Sequence, residues 1–421
     1  MGQQLDLATR IVHAGERRQW PTGMPVSTPI YASATFTYDS MAEVDKVFAG
    51  EIPGYIYTRY GNPTVAALEQ AMRTLESGAA ACAFASGMAA LHAALLACEL
   101  AAGATVLVSQ DLYGASLNLL TNVFGPFGVN TVTCDFDDLT LLEKKARELR
   151  PRVLLAETIS NPLLKICDIP ACAAIARQTG AKLIIDNTFA TPYLCRPLEQ
   201  GADLVVHSAT KYLGGHADVM GGVVIAREQP EGAALVSVMK LAGGILGPWE
   251  AHEILRGLKT LAVRLERQCA NARFIAGQLT GDPRVARVYY PALQPGTRPV
   301  GDGAQQPAPG HVKGAASAGR LPRILRPPHA GALVSIELAD NTREAAFRFM
   351  DGLRLCVRST SLGDVFTGVL HPATASHRDW APARRRQVGI SDGLIRISAG
   401  IEDAHDILAD IRQALESGIR D

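Results

Sequence analysis

Between residues 62 and 255 the apolar positions switch repeatedly between two periods. "VAALEQAMRTLES", "GMAALHAALLACEL", "TLLEKKAREL" and "IPACAAIARQTG" place them at helical spacing, and the last closes on a glycine. Between these stand short, almost continuous apolar runs: "ATVLVS", "RVLLAETI", "KLIIDNTF", "ADLVVHS" and "GGVVIA". Strands without polar alternation are buried on both faces, so the pattern predicts an α/β unit: a mostly parallel central sheet flanked by helices. Around residue 256 the pattern changes. A long amphipathic stretch, "AHEILRGLKTLAVRLERQCANARFIAGQL", leads into strands at "RVARVYY" and "ALVSIEL". A helix near "TREAAFRFMDGL", a strand at "LIRISAG" and a helix at "AHDILADIRQAL" follow, which reads as a smaller α+β unit. Residues 1–61 carry Pro21, Pro25, Pro29 and Pro53 and no sustained period. The expected organisation is therefore an N-terminal arm (1–61), an α/β domain (62–255) and a C-terminal α+β domain (256–421). Residues 294–328 are rich in proline, glycine and alanine, with almost no large apolar side chain before Leu321. Such a stretch buries too little surface to offset its ordering entropy and reads as a mobile surface insertion.

Composition narrows the partners. The 421 residues are 48% hydrophobic, enough for packed cores. Lysine plus arginine and aspartate plus glutamate both number 41, so neither nucleic acid nor an anionic membrane surface is an expected partner. No apolar run is long enough to span a bilayer, and "MGQQLDLATRIVHAGERRQW" has no apolar signal core, so a cytoplasmic location is expected. The eight cysteines form no CxxC pair and sit in apolar surroundings, as small core residues in a reducing compartment; no metal site is expected.

The candidate chemistry lies where predicted strands end. Asn161 follows "RVLLAETIS", Asp186 closes "KLIID", and Ser208, Thr210 and Lys211 follow "LVVH". Open α/β sheets bind ligands at that edge. A lysine at a strand exit is ordinarily a solvated surface residue, and Asp186 alone could cap a helix. Together they suit pyridoxal 5'-phosphate, which needs a lysine amine for its aldehyde and a carboxylate beside its pyridine nitrogen. An anion cradle is available at "ASGMAALHAALLA", where Ser86, Gly87 and Met88 open a helix. Tyr113 in "DLYGAS" offers an aromatic face, though a core tyrosine is the competing reading. No GxGxxG opens a helix after the first strand and no GxxxxGK[ST] appears.

"SATKYLGGHADVMGG", "YTRYGNPT", "ASGMAA", "ETISNPLLKICDIP", "DNTFATPYL", "LRGLKTLAVRLERQ", "SLGD", "HPATASH" and "GLIRISAGIED" together resemble the Cys/Met-metabolism family of pyridoxal-phosphate enzymes. The resemblance spans about residues 7–415, interrupted by the 294–328 insertion. It implies the aspartate-aminotransferase-like fold type I. It also implies that Lys211 bonds covalently to the cofactor and then shuttles protons, that Asp186 pairs with the pyridine nitrogen, and that Asn161 approaches the ring hydroxyl. Tyr113 would stack on the ring and serve as a second catalytic residue, helping as a base. Gly87, Met88, Ser208 and Thr210 would hold the phosphate. Tyr57 and Arg59 would reach the phosphate of a neighbouring subunit, in a homotetramer of two close dimers with shared sites. Arg396 would clamp the carboxylate of a small amino-acid substrate, with Ser361 and Thr360 nearby.

Within that family the wall before "SLGD" reads "STSLGD". Thr360 stands where cystathionine-handling members resemble one another in carrying a glutamate. An uncharged residue there suits methionine or another short neutral γ-substituent. Against strict methionine specificity, "YGAS" has Ala115 where methionine γ-lyases often have a cysteine. "DVFTGVLHP" also replaces the usual residues with Phe366, Thr367 and Gly368, and Lys240 reads as a surface lysine. The expected activity is γ-elimination on methionine or cystathionine. The alternative is γ-replacement, as in O-acylhomoserine sulfhydrylase or cystathionine γ-synthase.

Overall fold

A computed structural model describes residues 5–15, 25–293, 321 and 323–417. Its larger sheet comprises β1 (Ala80–Phe84), β2 (Thr105–Ser109), β3 (Asn130–Cys134), β4 (Val153–Glu157), β5 (Lys182–Asp186), β6 (Leu204–Ser208) and β7 (Gly222–Ala226). The order across this 7-stranded sheet is β1-β7-β6-β5-β4-β2-β3. Only β7 runs against the rest, pairing antiparallel with both β1 and β6. The mostly parallel sheet expected from the apolar runs is thus observed. Leu183, Ile184 and Ile185 of β5 are each 0% exposed; burying such a side chain stabilises by roughly 1.5–3 kcal/mol.

Helices cover both faces. Pro63–Glu76 starts with Pro63 at its first turn and Asn62 accepting from the Thr64 N–H; Ile169–Thr179 is capped by Asp168 and ends at left-handed Gly180. The core splits accordingly. One cluster gathers Leu68, Met72, Leu183 and Ile185, and the other Leu91, Leu95, Val106 and Ile184.

The smaller sheet contains β8 (Val285–Tyr289), β9 (Leu333–Leu338), β10 (Val357–Arg358), β11 (Gly368–Leu370) and β12 (Leu394–Ser398), ordered β10-β11-β12-β9-β8. It has its own core around Ile336, Phe349, Ile395, Ile397 and Ile411.

Several elements depart from the sequence reading. The long amphipathic stretch is two helices, Pro248–Leu258 and Leu261–Leu279, parted at Lys259-Thr260. The arm holds two short helices, Leu7–His13 and Met41–Ala49, each started by a side-chain cap from Asp6 or Ser40. Most of the expected insertion, 294–320 and 322, lies outside the described residues. Its end does not behave as a loose loop: Ile324 and Leu325 are 3% and 2% exposed, and the Arg326 N–H donates to the Leu194 carbonyl at 2.7 Å. These two apolar side chains pack in the main core.

Candidate active site

Strands β1, β2, β4, β5 and β6 all end at one edge of the large sheet, and the polar residues singled out from sequence follow those ends. Lys211 sits in the turn after β6, where its N–H donates to the Ser208 carbonyl at 3.2 Å and its carbonyl accepts from Gly215 at 2.8 Å. The buried neighbours Ala209, Tyr212 and Leu213 anchor that turn. Arg264 anchors it further, donating to the Tyr212 and Gly257 carbonyls at 2.8 Å each. Gly215 has φ +75° and passes so close that an added Cβ would lie 2.1 Å from the Arg264 guanidinium, so only glycine fits.

The Lys211 amine donates to the Ser361 hydroxyl at 3.0 Å. Burial, then the nearby Arg396 charge, push this amine below its ordinary range, while Asp364 works the other way. Burial raises the Asp364 carboxyl, against the opposing charge of Lys211. Arg396 projects from the middle of β12 and is 2% exposed. Its two terminal nitrogens reach the Asn161 side-chain oxygen at 2.9 Å and the Ser361 carbonyl at 3.1 Å. Its Nε is buried without a hydrogen-bond partner among the described residues, and burial lowers its pKa to about 10. Lys211, Asn161, Ser361 and Arg396 are therefore joined in one hydrogen-bonded group contributed by both sheets.

Asp186 lies at the end of β5, in register with Glu157 on β4. Its Oδ1 accepts from the Thr188 N–H at 2.9 Å and the Thr188 hydroxyl at 2.5 Å. Its other oxygen makes no hydrogen bond among the described residues. Burial raises its pKa, opposed by the Thr188 bonds and by His207 behind it. His207 is fully buried and bonded to Glu76 at 2.7 Å; Glu76 in turn accepts from Asn187 at 3.0 Å. Ser208 is tied to the same group, its N–H donating to the Thr188 hydroxyl at 2.8 Å.

Ser86 caps the helix Gly87–Ala97, its hydroxyl accepting from Ala89 at 3.1 Å. A Cβ on Gly87 would stand 2.7 Å from the Ser208 Cβ and 2.9 Å from its hydroxyl, so the bare glycine brings the helix N-terminus against Ser208. Met88 packs on the apolar cluster beneath. The Thr210 hydroxyl is engaged with Gly221, accepting from its N–H at 3.1 Å. Tyr113, 38% exposed, precedes the helix Gly114–Asn118. Its N–H donates to Glu157 at 2.7 Å.

Tyr57 and Arg59 lie in a separate exposed group with Tyr60. The guanidinium stands 5.4 Å and 4.8 Å from the two ring centroids and donates to the Lys240 carbonyl. No contact joins this group to Lys211, Asp186 or Arg396 among the described residues. Thr360 is exposed beside Ser361. Thr367 is buried and bonded to Glu402 at 2.9 Å, and Gly368 opens β11, so both belong to the interior of the smaller sheet. Sequence reasoning missed Glu157, Thr188 and the His207–Glu76 pair. Glu157 was open to detection as a carboxylate ending an otherwise apolar strand; the other three matter only through their contacts.

The topology, with a lysine, an aspartate and a glycine-opened helix at one sheet edge, defines the class: a fold-type I pyridoxal-phosphate enzyme. A family model for the Cys/Met metabolism PLP-dependent enzymes matches residues 8–298 and 326–416. An L-methionine gamma-lyase of Fusobacterium nucleatum subsp. nucleatum is 40% identical over 412 residues, covering 97% of this chain and 98% of that one. A cystathionine gamma-lyase of Bacillus subtilis is 39% identical over 411 residues, covering 97% and 99%. The solved cystathionine gamma-lyase from Lactobacillus plantarum superposes with a TM-score of 0.87 at 34% identity, covering 99% of this chain and 100% of that one. The chain belongs to the Cys/Met metabolism family and depends on pyridoxal phosphate. The unmatched residues 299–325 fall within the expected insertion. Among the described residues no helix is long and apolar enough to cross a membrane.

Proposed function

We propose that the protein catalyses γ-elimination on a sulfur amino acid: L-methionine and water give methanethiol, 2-oxobutyrate and ammonia. The observation that carries this is the meeting of Lys211 and Arg396 on Ser361, at 3.0 Å and 3.1 Å. A base for the α-proton and a clamp for the α-carboxylate stand one residue apart, as an α-amino acid requires. The uncharged Thr360, exposed beside Ser361, favours the methionine-type substrate over cystathionine, whose distal ammonium it cannot pair.

In this reading the residues fit pyridoxal phosphate. Gly87 leaves helix N–H groups open beside the Ser208 hydroxyl for the phosphate, with Met88 and Thr210 alongside. The unpaired Asp186 oxygen is free for a protonated pyridine nitrogen, Asn161 for the ring hydroxyl and Tyr113 for the ring face. When bound, the cofactor supplies an electron sink for the carbanion formed at Cα.

The chain's own residues do the rest. Arg396 presents a planar fork to the substrate carboxylate. Lys211, with its basicity depressed by burial and by Arg396, takes the α-proton and returns it at a neighbouring carbon. Ser361 holds that amine between transfers. Tyr57 and Arg59 complete the phosphate site of a neighbouring subunit in a homotetramer, and the enzyme works in the cytoplasm.

Replacement chemistry is the second reading, because a cystathionine gamma synthase from Xanthomonas oryzae pv. oryzae superposes with a TM-score of 0.87 at 36% identity. The test is parallel incubation with L-methionine, with L-cystathionine, and with O-acetylhomoserine plus sulfide. Release of 2-oxobutyrate and methanethiol from methionine supports elimination. Homocysteine formation from O-acetylhomoserine, without 2-oxobutyrate from methionine, overturns it.

A further inference from the structure

Glu157 ends β4 directly beside Asp186 on β5. Two half-buried carboxylates on adjacent strands repel one another, so this arrangement needs a reason. The contacts of Glu157 supply one. Its Oε1 accepts the Tyr113 N–H at 2.7 Å, and the Asn161 N–H, four residues on, lies near enough to favour its charged form. These N–H groups belong to two different loops, the one after β2 and the one after β4.

A second tie joins the same loops. The Lys165 ammonium stands 2.8 Å from the Asp111 carboxylate and 3.8 Å from that of Asp137. Lys165 is itself fixed to the Asn161 turn, its N–H donating to the Ser160 hydroxyl at 3.1 Å and its carbonyl accepting from Ser160 at 2.9 Å. Asp111 is two residues before Tyr113. The two ties border one small open cleft, lined by Asp111, Asp137, Glu157, Ser160 and Lys165 among others.

We propose that Glu157 is a positioning residue: with the Lys165–Asp111 pair it clamps the Tyr113 loop to the Asn161 turn, holding both side chains in place around the cofactor. The inference rests on the family's cofactor dependence and not on which substrate is used. Burial and the neighbouring Asp186 push the Glu157 carboxyl well above its usual range. Burial raises the Asp186 carboxyl as well, against its two Thr188 bonds. A glutamine of the same shape keeps the accepting oxygen and should serve in place of Glu157.

The test uses Glu157→Gln and Glu157→Ala in the full-length enzyme. Apo-enzyme is reconstituted with pyridoxal phosphate to obtain its Kd, and the visible circular dichroism of the bound cofactor reports how it is seated. Glu157→Ala is expected to weaken cofactor binding about tenfold or more and to reduce the dichroism, because the Tyr113 loop loses the acceptor that holds it. Glu157→Gln is expected to stay within about threefold of the parent, with the parent's dichroism. Equal behaviour of the two variants, whether both are unimpaired or both impaired, overturns the proposal. Should Glu157→Ala not fold, Glu157→Gln decides alone: a tenfold loss of cofactor affinity overturns the clamp, and parental affinity and dichroism uphold it.

Discussion

Replacing Arg396 by lysine keeps a positive charge and removes the fork. In the present geometry one guanidinium nitrogen serves Asn161 at 2.9 Å and the other the Ser361 carbonyl at 3.1 Å. A lysine ammonium on the same strand position cannot hold both and also face a carboxylate with two parallel N–H groups. Loss of one hydrogen bond to a charged group costs roughly 1.5–3 kcal/mol, or about 10- to 150-fold in affinity. Arg396→Lys should therefore raise the KM for L-methionine by that factor. It should also narrow the preference for methionine over L-methioninamide, which lacks the carboxylate. The assay is steady-state release of 2-oxobutyrate and thiol with both compounds, on protein whose cofactor content and near-ultraviolet dichroism match the parent. An unchanged KM together with an unchanged acid-to-amide preference would refute the reasoning, since Arg396 would then not meet the carboxylate.

Three further outcomes are expected. His377 is 1% exposed, packed edge-on against Trp380 at 4.8 Å, and burial lowers its pKa to about 4. The unfolded chain binds a proton at this site below about 6.5 and the folded chain only near 4. Its contribution is therefore present in full above pH 6.5 and lost as pH falls towards 4, worth about 3 kcal/mol across that window. His377→Phe should flatten the fall of Tm between pH 6.5 and 4, and a parallel fall in both proteins contradicts the assignment. Mixing inactive Arg59→Ala chains with inactive Lys211→Ala chains should restore partial activity through hybrid sites; no recovery after verified subunit exchange counts against sites shared between subunits. Thr360→Glu should raise the ratio of cystathionine to methionine kcat/KM by about tenfold, the difference between a charged and a neutral hydrogen bond. An unchanged ratio removes Thr360 from the γ-substituent wall.

Legibility in the sequence followed the local physics. Asp186, Ser208 and Lys211 stood out because each follows a run of apolar residues that can only be a buried strand, and the end of such a strand is where ligands gather. Arg396 was marked by the family resemblance, and its place between Ile395 and Ile397 agrees with it, since a charge in an apolar strand demands a partner. Strands β10 and β11 did not, being two and three residues long, too short to show any period. The helix Met41–Ala49 was hidden in a proline-rich neighbourhood, and its start depends on one serine cap. Glu157 was visible as a residue and opaque in its meaning. That meaning comes from the β4–β5 register and from the loop after β2, 44 residues away in the chain. The burial of Ile324 and Leu325 likewise comes from packing into a core built by distant segments, which no local pattern announces.

The central claim is that Lys211 is the amine on which the cofactor chemistry turns, and one measurement meets it directly. Holoenzyme is treated with borohydride, digested, and its peptides are mapped by mass spectrometry. The expected result is a single reduced pyridoxyl-phosphate adduct on the peptide containing Lys211, absent from Lys211→Ala. An adduct on another lysine, such as Lys165 or Lys240, with Lys211 unmodified, would contradict it.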